Sequence, residues 1–247
     1  MTLGQLICGS PGATCVASTT LDHLKGSIDR FASKAIAFLN EEFTEEAQSY
    51  GAFCARVVLE NSCAALVGRL DPFRLIYLAE FQTQDKFEYG KPTKSGFKWT
   101  GDVLPDDKGP QEMWGAEHDA AKVSRALFSQ YADHVYWQPA HGATLDFLAS
   151  GNMEIFKNIT EIEPEKFVGY TRGRCAALYS TLSKGVHWDF FVSSIVLDEG
   201  TVKDAIRETL LILGGVGLIS HFVPTAFRTL DHTAAVEAYT NFRGSFV

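Results

Sequence analysis

The sequence predicts a mainly helical, single-domain protein of about eight helices with a small β-hairpin or loop insertion. Apolar residues recur in steps of three and four, as at Leu24, Ile28 and Phe31, which is the spacing of one helix face. An acidic residue followed by proline marks helix starts at Asp71-Pro72 and Glu163-Pro164, because proline fits the first helical turn. No repeat and no linker divides the 247 residues into separate domains.

The chain begins with small and polar residues. We expect residues 1–19 to form a flexible N-terminal arm, followed by a helical domain over residues 20–247. Thr20 or Asp22 is a candidate N-cap for the first helix. The expected helices are residues 20–38, 44–70, 73–80, 117–136, 144–156, 163–183, 201–213 and 225–241.

Residues 82–115 interrupt the helical pattern. Polarity alternates over residues 86–89 and 97–100, around a run of turn-forming residues at 90–96, which predicts a small hairpin or an exposed loop. The run does not match a phosphate-binding loop, since its lysine and glycine order differs from the consensus. An insertion on a helical body is a natural place for a partner to bind, and a tolerated surface excursion is the alternative.

Composition limits the class of partner. The chain has 22 Lys and Arg against 30 Asp and Glu, a formal net charge of −8. General nucleic-acid binding needs clustered cations, so it is not expected, although a local basic pocket for RNA stays open. Five cysteines without regular spacing argue against a disulfide framework. With no secretory signal at the N-terminus, we expect a cytoplasmic protein.

The stretch 209–227 raises the question of a membrane. Its 19 residues include no Asp, Glu, Lys or Arg, and roughly 20 apolar residues are needed to cross a bilayer. It is interrupted by three glycines, Ser220, His221 and Pro224. A buried helix that breaks near these residues is therefore predicted. We expect no stable membrane association, and a membrane-acting effector that exposes this stretch after a trigger is the second alternative.

The sequence contains several residues of the types that bind metals, but not in a ligand pattern. Adjacent residues on a helix point about 100° apart, so the neighbouring acid–histidine pairs do not share a face for one ion. The metal candidates are Glu117, His118, Asp133, His134 and His141. Neither a Cys-x-x-Cys pair nor a Gly-x-Ser-x-Gly elbow occurs in the sequence. We therefore expect neither a metal nor a cofactor.

The most informative segment lies at the C-terminal end of the helix predicted at 163–183 and continues just beyond it. Its phrase Leu-Tyr-Ser-x-Leu-Ser-x-x-Val-His, residues 178–187, resembles the terminal helix of HEPN-like domains in prokaryotic defence and toxin systems. The run Ala-Arg-Val-Val-Leu-Glu-Asn, residues 55–61, resembles the opening helices of such proteins. The resemblance covers about 50 residues in two pieces. It implies a helical scaffold that serves an antiviral-defence or toxin–antitoxin complex.

HEPN ribonucleases carry Arg-x(4–6)-His, and this motif is absent here. Twelve residues separate Arg174 from His187, and three separate Arg228 from His232. Arg172 and His187 would lie about 22 Å apart on one straight helix. The resemblance thus favours a non-catalytic subunit. A metal-independent RNase is the alternative, with His187 or His232 as general acid or base and Arg174 or Arg228 stabilising phosphate charge.

Tryptophans supply candidate anchors for a partner. All four lie in or beside expected loops and helix ends, where a large rigid ring gives contact area at low entropy cost. Trp99, Trp114 and Trp188 are predicted to bind a partner, and core packing is the alternative for each. The expected partner is a larger effector protein, a second copy of the chain, or both, contacted through 82–115 and the helix tip at His187.

Overall fold

A computed structural model describes residues 2–12, 14–40, 45–88, 90–91, 95–106, 113–115, 119–149, 154–187 and 198–246. The helices in this part of the chain are α1 (Leu3–Cys8), α2 (Val16–Asn40), α3 (Glu45–Leu70), α4 (Pro72–Gln82), α5 (Gln130–Ala132), α6 (Gln138–Leu148), α7 (Lys157–Thr160), α8 (Pro164–His187), α9 (Glu199–Ser220) and α10 (His232–Arg243). Short 3-10 turns span Ala120–Lys122 and Glu154–Phe156, and π-type turns span Trp99–Val103 and Asp133–Trp137. The predicted mainly helical class is confirmed.

Helix α3 is the centre of the bundle. It packs against α1, α2, α4, α8 and α9, so apolar residues occur around its whole circumference rather than on one face. Within the described residues, Tyr50–Leu70 is the one helical segment long and apolar enough to cross a membrane, with a mean hydropathy of 1.2. Of that segment, 61% is buried inside the protein, as in the core helix of a bundle.

Helix α9 continues through the glycines at which the sequence predicted a break. A Cβ atom on Gly217 would lie 3.0 Å from Ile7 Cδ1, and one on Gly214 would lie 3.1 Å from the Phe242 ring. The glycines therefore allow α1 and α10 to approach the α9 backbone closely. The stretch 209–227 divides between the last turns of α9, which are buried, and the chain that follows.

In place of the flexible arm expected over residues 1–19, the structure has helix α1 in the core. Leu6 and Ile7 are fully buried against the bundle. The Thr2 hydroxyl caps α1 by accepting a hydrogen bond from Gln5 N at 3.2 Å. Helix α2 then begins at Val16, before the predicted caps Thr20 and Asp22. A short helix escapes detection by periodicity because it completes fewer than two turns.

The predicted β-hairpin is wrong for the described part of the insertion, which contains no strand. Residues 99–103 form an irregular turn, in which Gly101 has a φ of 116° and donates its N–H to Leu104 O at 2.7 Å. The turn also bonds to a distant segment, since Leu127 N donates to Asp102 O at 2.8 Å and Phe128 N to Val103 O at 3.0 Å. These bonds fix the turn to the segment before α5 without a strand pairing.

The helix expected over 117–136 is shorter than predicted. Helix α5 begins only at Gln130, where the Ser129 hydroxyl caps it by accepting from Ala132 N at 3.2 Å. The chain then passes through the π-type turn directly into α6, with Pro139 in its first turn. Proline is tolerated there because its missing N–H lies where the regular bonding pattern already changes.

Candidate functional site

Arg228 and His232 do not share a helix face, contrary to the i, i+4 expectation. Helix α10 begins only at His232, and Arg228 precedes it in a left-handed conformation with φ 59°. The Arg228 guanidinium lies inside the protein, where Nη2 contacts Asp22 Oδ1 at 2.8 Å and Nη1 donates to Ser18 O at 3.0 Å. The His232 ring stacks on Phe222 with centroids 4.0 Å apart. Each side chain thus has structural partners of its own.

Arg174 and His187 lie on one continuous helix, α8, at a separation of 13 residues or about 20 Å along the axis. The Arg174 guanidinium forms an ion pair with Glu208 of α9, and this hydrogen bond raises the pKa of Arg174. The side chain of His187 and all of Trp188 lie outside the described residues. No described contact joins Arg174 to a histidine.

The tryptophans occupy three different environments. The Trp99 ring stacks on Tyr179 of α8, with centroids 4.4 Å apart and planes 10° apart. Trp114 is 77% exposed and meets His134 edge to face. Trp137 is buried and donates its indole N–H to Leu127 O at 2.7 Å, so it belongs to the core. Of the predicted anchors, Trp114 is the one described side chain left largely in solvent.

Helix α4 presents an exposed aromatic pair that sequence reasoning did not single out. Phe73 and Tyr77 are 67% and 44% exposed, and their ring centroids are 6.1 Å apart. Between them, Arg74 reaches the insertion, where Nη2 donates to Gly96 O at 3.2 Å and contacts Asp102 Oδ2 at 3.0 Å. We call Phe73, Tyr77 and the adjoining residues 95–102 the α4 surface. Its i, i+4 aromatic spacing was readable in the sequence but could equally have marked the core.

A cavity of about 870 Å³ lies behind this surface, bounded by α2, α3, α4, the insertion and α8. Its apolar wall includes Leu24, Val67, Leu75, Leu78, Phe97 and Trp99. Its polar wall includes His23, Glu60, Asn61, Arg74 and Tyr179. One residue from each of two ion pairs lies in the wall. Arg74 pairs with Asp102 at 3.0 Å, and Glu60 pairs with Arg56 at 3.1 Å, so opposite charges balance locally.

Cys15 stands at this cavity and differs from the other cysteines. It is exposed, and hydrogen bonds from the backbone and hydroxyl of Ser18 lower the pKa of its thiol. Burial instead raises the pKa of Cys8, Cys54 and Cys175 to about 12. Cys15 is therefore the thiol expected to react first with an external reagent.

The metal candidates do not converge in the part of the chain that the structure describes, where no group of three or more His, Cys, Asp or Glu side chains could hold an ion. His134 packs on Trp114. His141 is buried with Nε2 3.0 Å from Ile159 O, and burial lowers its pKa. Glu117 and His118 lie outside the described residues. These histidines are accounted for by packing.

A buried arginine on α3 is the feature that sequence reasoning missed most completely. Arg69 is 0% exposed, and its guanidinium bonds backbone carbonyls, with Nε donating to Phe227 O at 2.9 Å and Nη1 to Ile7 O at 3.2 Å. Nη1 also donates to the Ser220 hydroxyl at 2.5 Å. The available signal was an arginine beside Gly68 in the otherwise apolar run 63–70 at the end of α3.

Helix ends supply the negative charge around Arg69. Helices α1 and α9 both end beside it, and the C-terminal carbonyls of a helix carry partial negative charge. Burial lowers the pKa of Arg69 to about 10, which still leaves it charged at neutral pH. His221 completes the cluster, with Nε2 donating to Leu6 O at 2.8 Å and Nδ1 accepting from Leu230 N at 3.1 Å. We call this set the Arg69 cluster.

Comparison of the chain with protein-family models, with curated proteins and with solved structures finds no match.

Proposed function

We propose that this chain is a non-catalytic helical subunit that acts through protein–protein contacts, with a larger effector protein or with a second copy of itself. The observation that carries the proposal is the α4 surface, where Phe73 and Tyr77 stand in solvent beside an anchored insertion. Exposed aromatic residues are enriched at the centres of protein interfaces because they bury a large area with few rotatable bonds. Rigid anchoring of the insertion lowers the entropy lost on binding.

The candidate nuclease residues support the non-catalytic assignment. The Arg228 side chain is 1% exposed and already neutralises Asp22, so a phosphate would have to compete for a buried guanidinium. Arg174 is paired with Glu208, and His232 is stacked on Phe222. An acid–base histidine must reach the reacting atoms within hydrogen-bond distance of an accessible site. His232 is exposed, but its described ring contacts are with Phe147 and Phe222 and not with either arginine, which favours packing and ion pairing over RNA cleavage.

The resemblance to HEPN-like domains extends the proposal to a setting. A subunit of this kind would assemble with an effector of a prokaryotic antiviral-defence or toxin–antitoxin complex in the cytoplasm. The formal charge of −8 is consistent with a partner other than bulk nucleic acid. Trp114, exposed beside His134, would extend the contact area beyond α4.

The test is purification of the tagged chain from its native host, with quantitative mass spectrometry, light scattering and the ratio of absorbance at 260 and 280 nm. Wild type should carry one stoichiometric protein partner or form a dimer, without nucleic acid. The double variant Phe73→Ser, Tyr77→Ser should lose that partner. Tyr170→Ser, which removes an aromatic residue 51% exposed on α8, is the matched control and should retain it.

Two outcomes would overturn the proposal. One is a wild-type chain that stays monomeric and carries no stoichiometric partner. The other is a dimer loaded with RNA that cleaves RNA in vitro and loses cleavage in His187→Ala or His232→Ala. That second result would instead establish the RNase alternative.

A further inference from the structure

We propose that the 870 Å³ cavity between α2, α3 and α4 binds a small amphipathic molecule, with a flat apolar body and an oxygen acceptor. The ligand would lie among Leu24, Leu75, Trp99 and Arg74. This site shares Phe97 and Trp99 with the α4 surface but does not include the exposed rings of Phe73 and Tyr77, and it does not require that the chain be a subunit of a larger complex.

The size of the cavity argues for an occupant. The cavity opens to solvent, since exposed residues such as Thr14 and Cys15 lie in its wall, so a small molecule could enter it. A cavity of about 870 Å³ falls in the range of roughly 300 to 1,000 Å³ found for sites that enclose small ligands. Its apolar wall includes Val16, which is 41% exposed. A ligand with an apolar body would remove this wall from water.

The aromatic part of the wall favours a flat ligand. Trp99 and Tyr179 both line the cavity and are stacked on each other with planes 10° apart. The Arg56 guanidinium lies over the Tyr179 ring, 4.7 Å from its centroid, and donates Nη2 to the Tyr179 hydroxyl at 3.0 Å. These contacts hold the two rings in place. The faces that Trp99 and Tyr179 turn to each other are already covered, so a planar ligand would pack against the remaining ring surface in an offset or edge-to-face arrangement.

An unsatisfied donor defines the polar part of the ligand. Arg74 Nη2 is engaged by Gly96 O and Asp102, whereas Arg74 Nε is buried without a hydrogen-bond partner among the residues that the structure describes. A buried N–H without an acceptor is unfavourable, so a small turn of the Arg74 side chain that brings Nε to the cavity surface would let an oxygen atom of a ligand satisfy it. Asp102 already balances the positive charge of Arg74, so the acceptor can be neutral or negatively charged. A carbonyl, carboxylate or sulfonate oxygen would each serve.

The experiment compares two fluorescent probes that share one ring framework. Anilinonaphthalene sulfonate carries an oxygen-rich head group, and phenylnaphthylamine lacks it. Wild type should bind the sulfonate in a saturable one-to-one manner, at least about tenfold more tightly than phenylnaphthylamine. Equal affinities for the two probes would overturn the assignment of the acceptor, and no saturable binding would overturn the site.

Variants locate the bound probe. Ala64→Phe places a ring in the cavity wall and should weaken probe binding at least about tenfold. Ala37→Phe is the matched control, because Ala37 is also half-buried on a helix but lies outside the cavity wall, and it should bind like wild type. Equal binding by Ala64→Phe, Ala37→Phe and wild type would overturn the proposal.

Protection of Cys15 by a bound probe is a second test of the site, and it uses only the wild-type chain. Because the exposed Cys15 thiol lines the cavity, a bound probe should slow its alkylation by iodoacetamide several-fold, as followed by mass spectrometry of the intact chain. The buried Cys63 and Cys175 serve as internal references that stay unmodified in the native protein. Saturating probe without protection of Cys15 would mean binding elsewhere, such as at the α4 surface, and would overturn the proposal.

Discussion

Arg69 and Arg74 are five positions apart in sequence, on either side of the break at Asp71-Pro72, yet they have opposite environments. Arg69 is fully buried and bonds carbonyls at the ends of distant helices. Arg74 is half-buried, pairs with Asp102, and keeps one buried N–H without a described partner beside a cavity. A guanidinium is structural where helix ends converge on it, as at Arg69, whereas Arg74 anchors the insertion beside the cavity in which we propose that a ligand binds.

The difference follows from what surrounds each charge. Around Arg69, carbonyl dipoles supply the counter-charge without a carboxylate among the described contacts, and no space is left beside the guanidinium for a ligand. Around Arg74, a conventional ion pair anchors the insertion to α4 and leaves the rest of the side chain facing open volume. Stability should therefore depend far more on Arg69 than on Arg74.

The largest effect is expected for Arg69→Met. Methionine fills similar volume but leaves Ile7 O, Phe227 O and the Ser220 carbonyl without their donor, which should lower the free energy of unfolding by about 3–5 kcal/mol. Urea denaturation followed by circular dichroism measures this loss. Arg30→Met, at an exposed position of α2, is the control and should change stability by no more than about 0.5 kcal/mol. Equal stabilities of the two variants would contradict the role of Arg69.

The next effect is a pH dependence that comes from His221. Burial and the Arg69 charge lower the pKa of His221 from 6.5 to about 3, so the folded chain excludes a proton that the unfolded chain binds below pH 6.5. Stability is therefore full above pH 6.5 and falls as pH drops toward 3, by roughly 1 kcal/mol per pH unit. The stability difference between wild type and His221→Gln should shrink between pH 7 and pH 4 in denaturation curves. A constant difference would contradict this origin.

A smaller effect is expected for Arg74→Met. The Arg74–Asp102 pair is about one-fifth exposed on each side, and its loss should lower the free energy of unfolding by about 1–2 kcal/mol. The change should be local, because the pair connects α4 to residues 96–102. Limited proteolysis should therefore cut the insertion faster in Arg74→Met than in wild type. Cleavage at the wild-type rate would show that other contacts anchor the insertion.

The smallest effect is expected for Arg174→Gln. Arg174 is 47% exposed in its pair with Glu208, and exposed pairs contribute about 0–1 kcal/mol. We expect a stability change within that range and no change in the rate at which labelled RNA is degraded. A loss of RNA cleavage in this variant would favour the nuclease alternative and would place Arg174 among catalytic residues. Glu208→Gln is the matched control, since it breaks the same pair and keeps the arginine.

Local signals in the sequence located several elements correctly. The breaks at Asp71-Pro72 and Glu163-Pro164 coincide with the starts of α4 and α8, because proline restricts the residue before it and fits a first helical turn. The helix predicted over 44–70 is confirmed as α3, Glu45–Leu70. The i, i+4 spacing of Phe73 and Tyr77 is evident in the sequence, but periodicity does not distinguish an exposed aromatic pair from a buried one.

Other features depend on contacts that no local pattern contains. The glycines of α9 suggested a break in the helix. Instead, the helix continues, and the absence of side chains at these glycines lets α1 and α10 pack close to the α9 backbone. Arg228 and His232 have the spacing of a pair on one helix face. Instead, Arg228 bonds to residues more than 200 positions away, and the His232 ring stacks on Phe222. The cavity exists only because α2, α3, α4, the insertion and α8 surround one volume.

The sequence by itself determined the helical class and the proline-marked helix starts, because capping, proline geometry and apolar spacing act within a few residues. Tertiary structure alone decided that α1 is part of the core, that Arg69 is buried among helix ends and that Arg74 faces a cavity. Burial and hydrogen bonding between distant segments set those outcomes. Arg69 and Ser220, for example, are 151 residues apart in the chain and meet at hydrogen-bond distance.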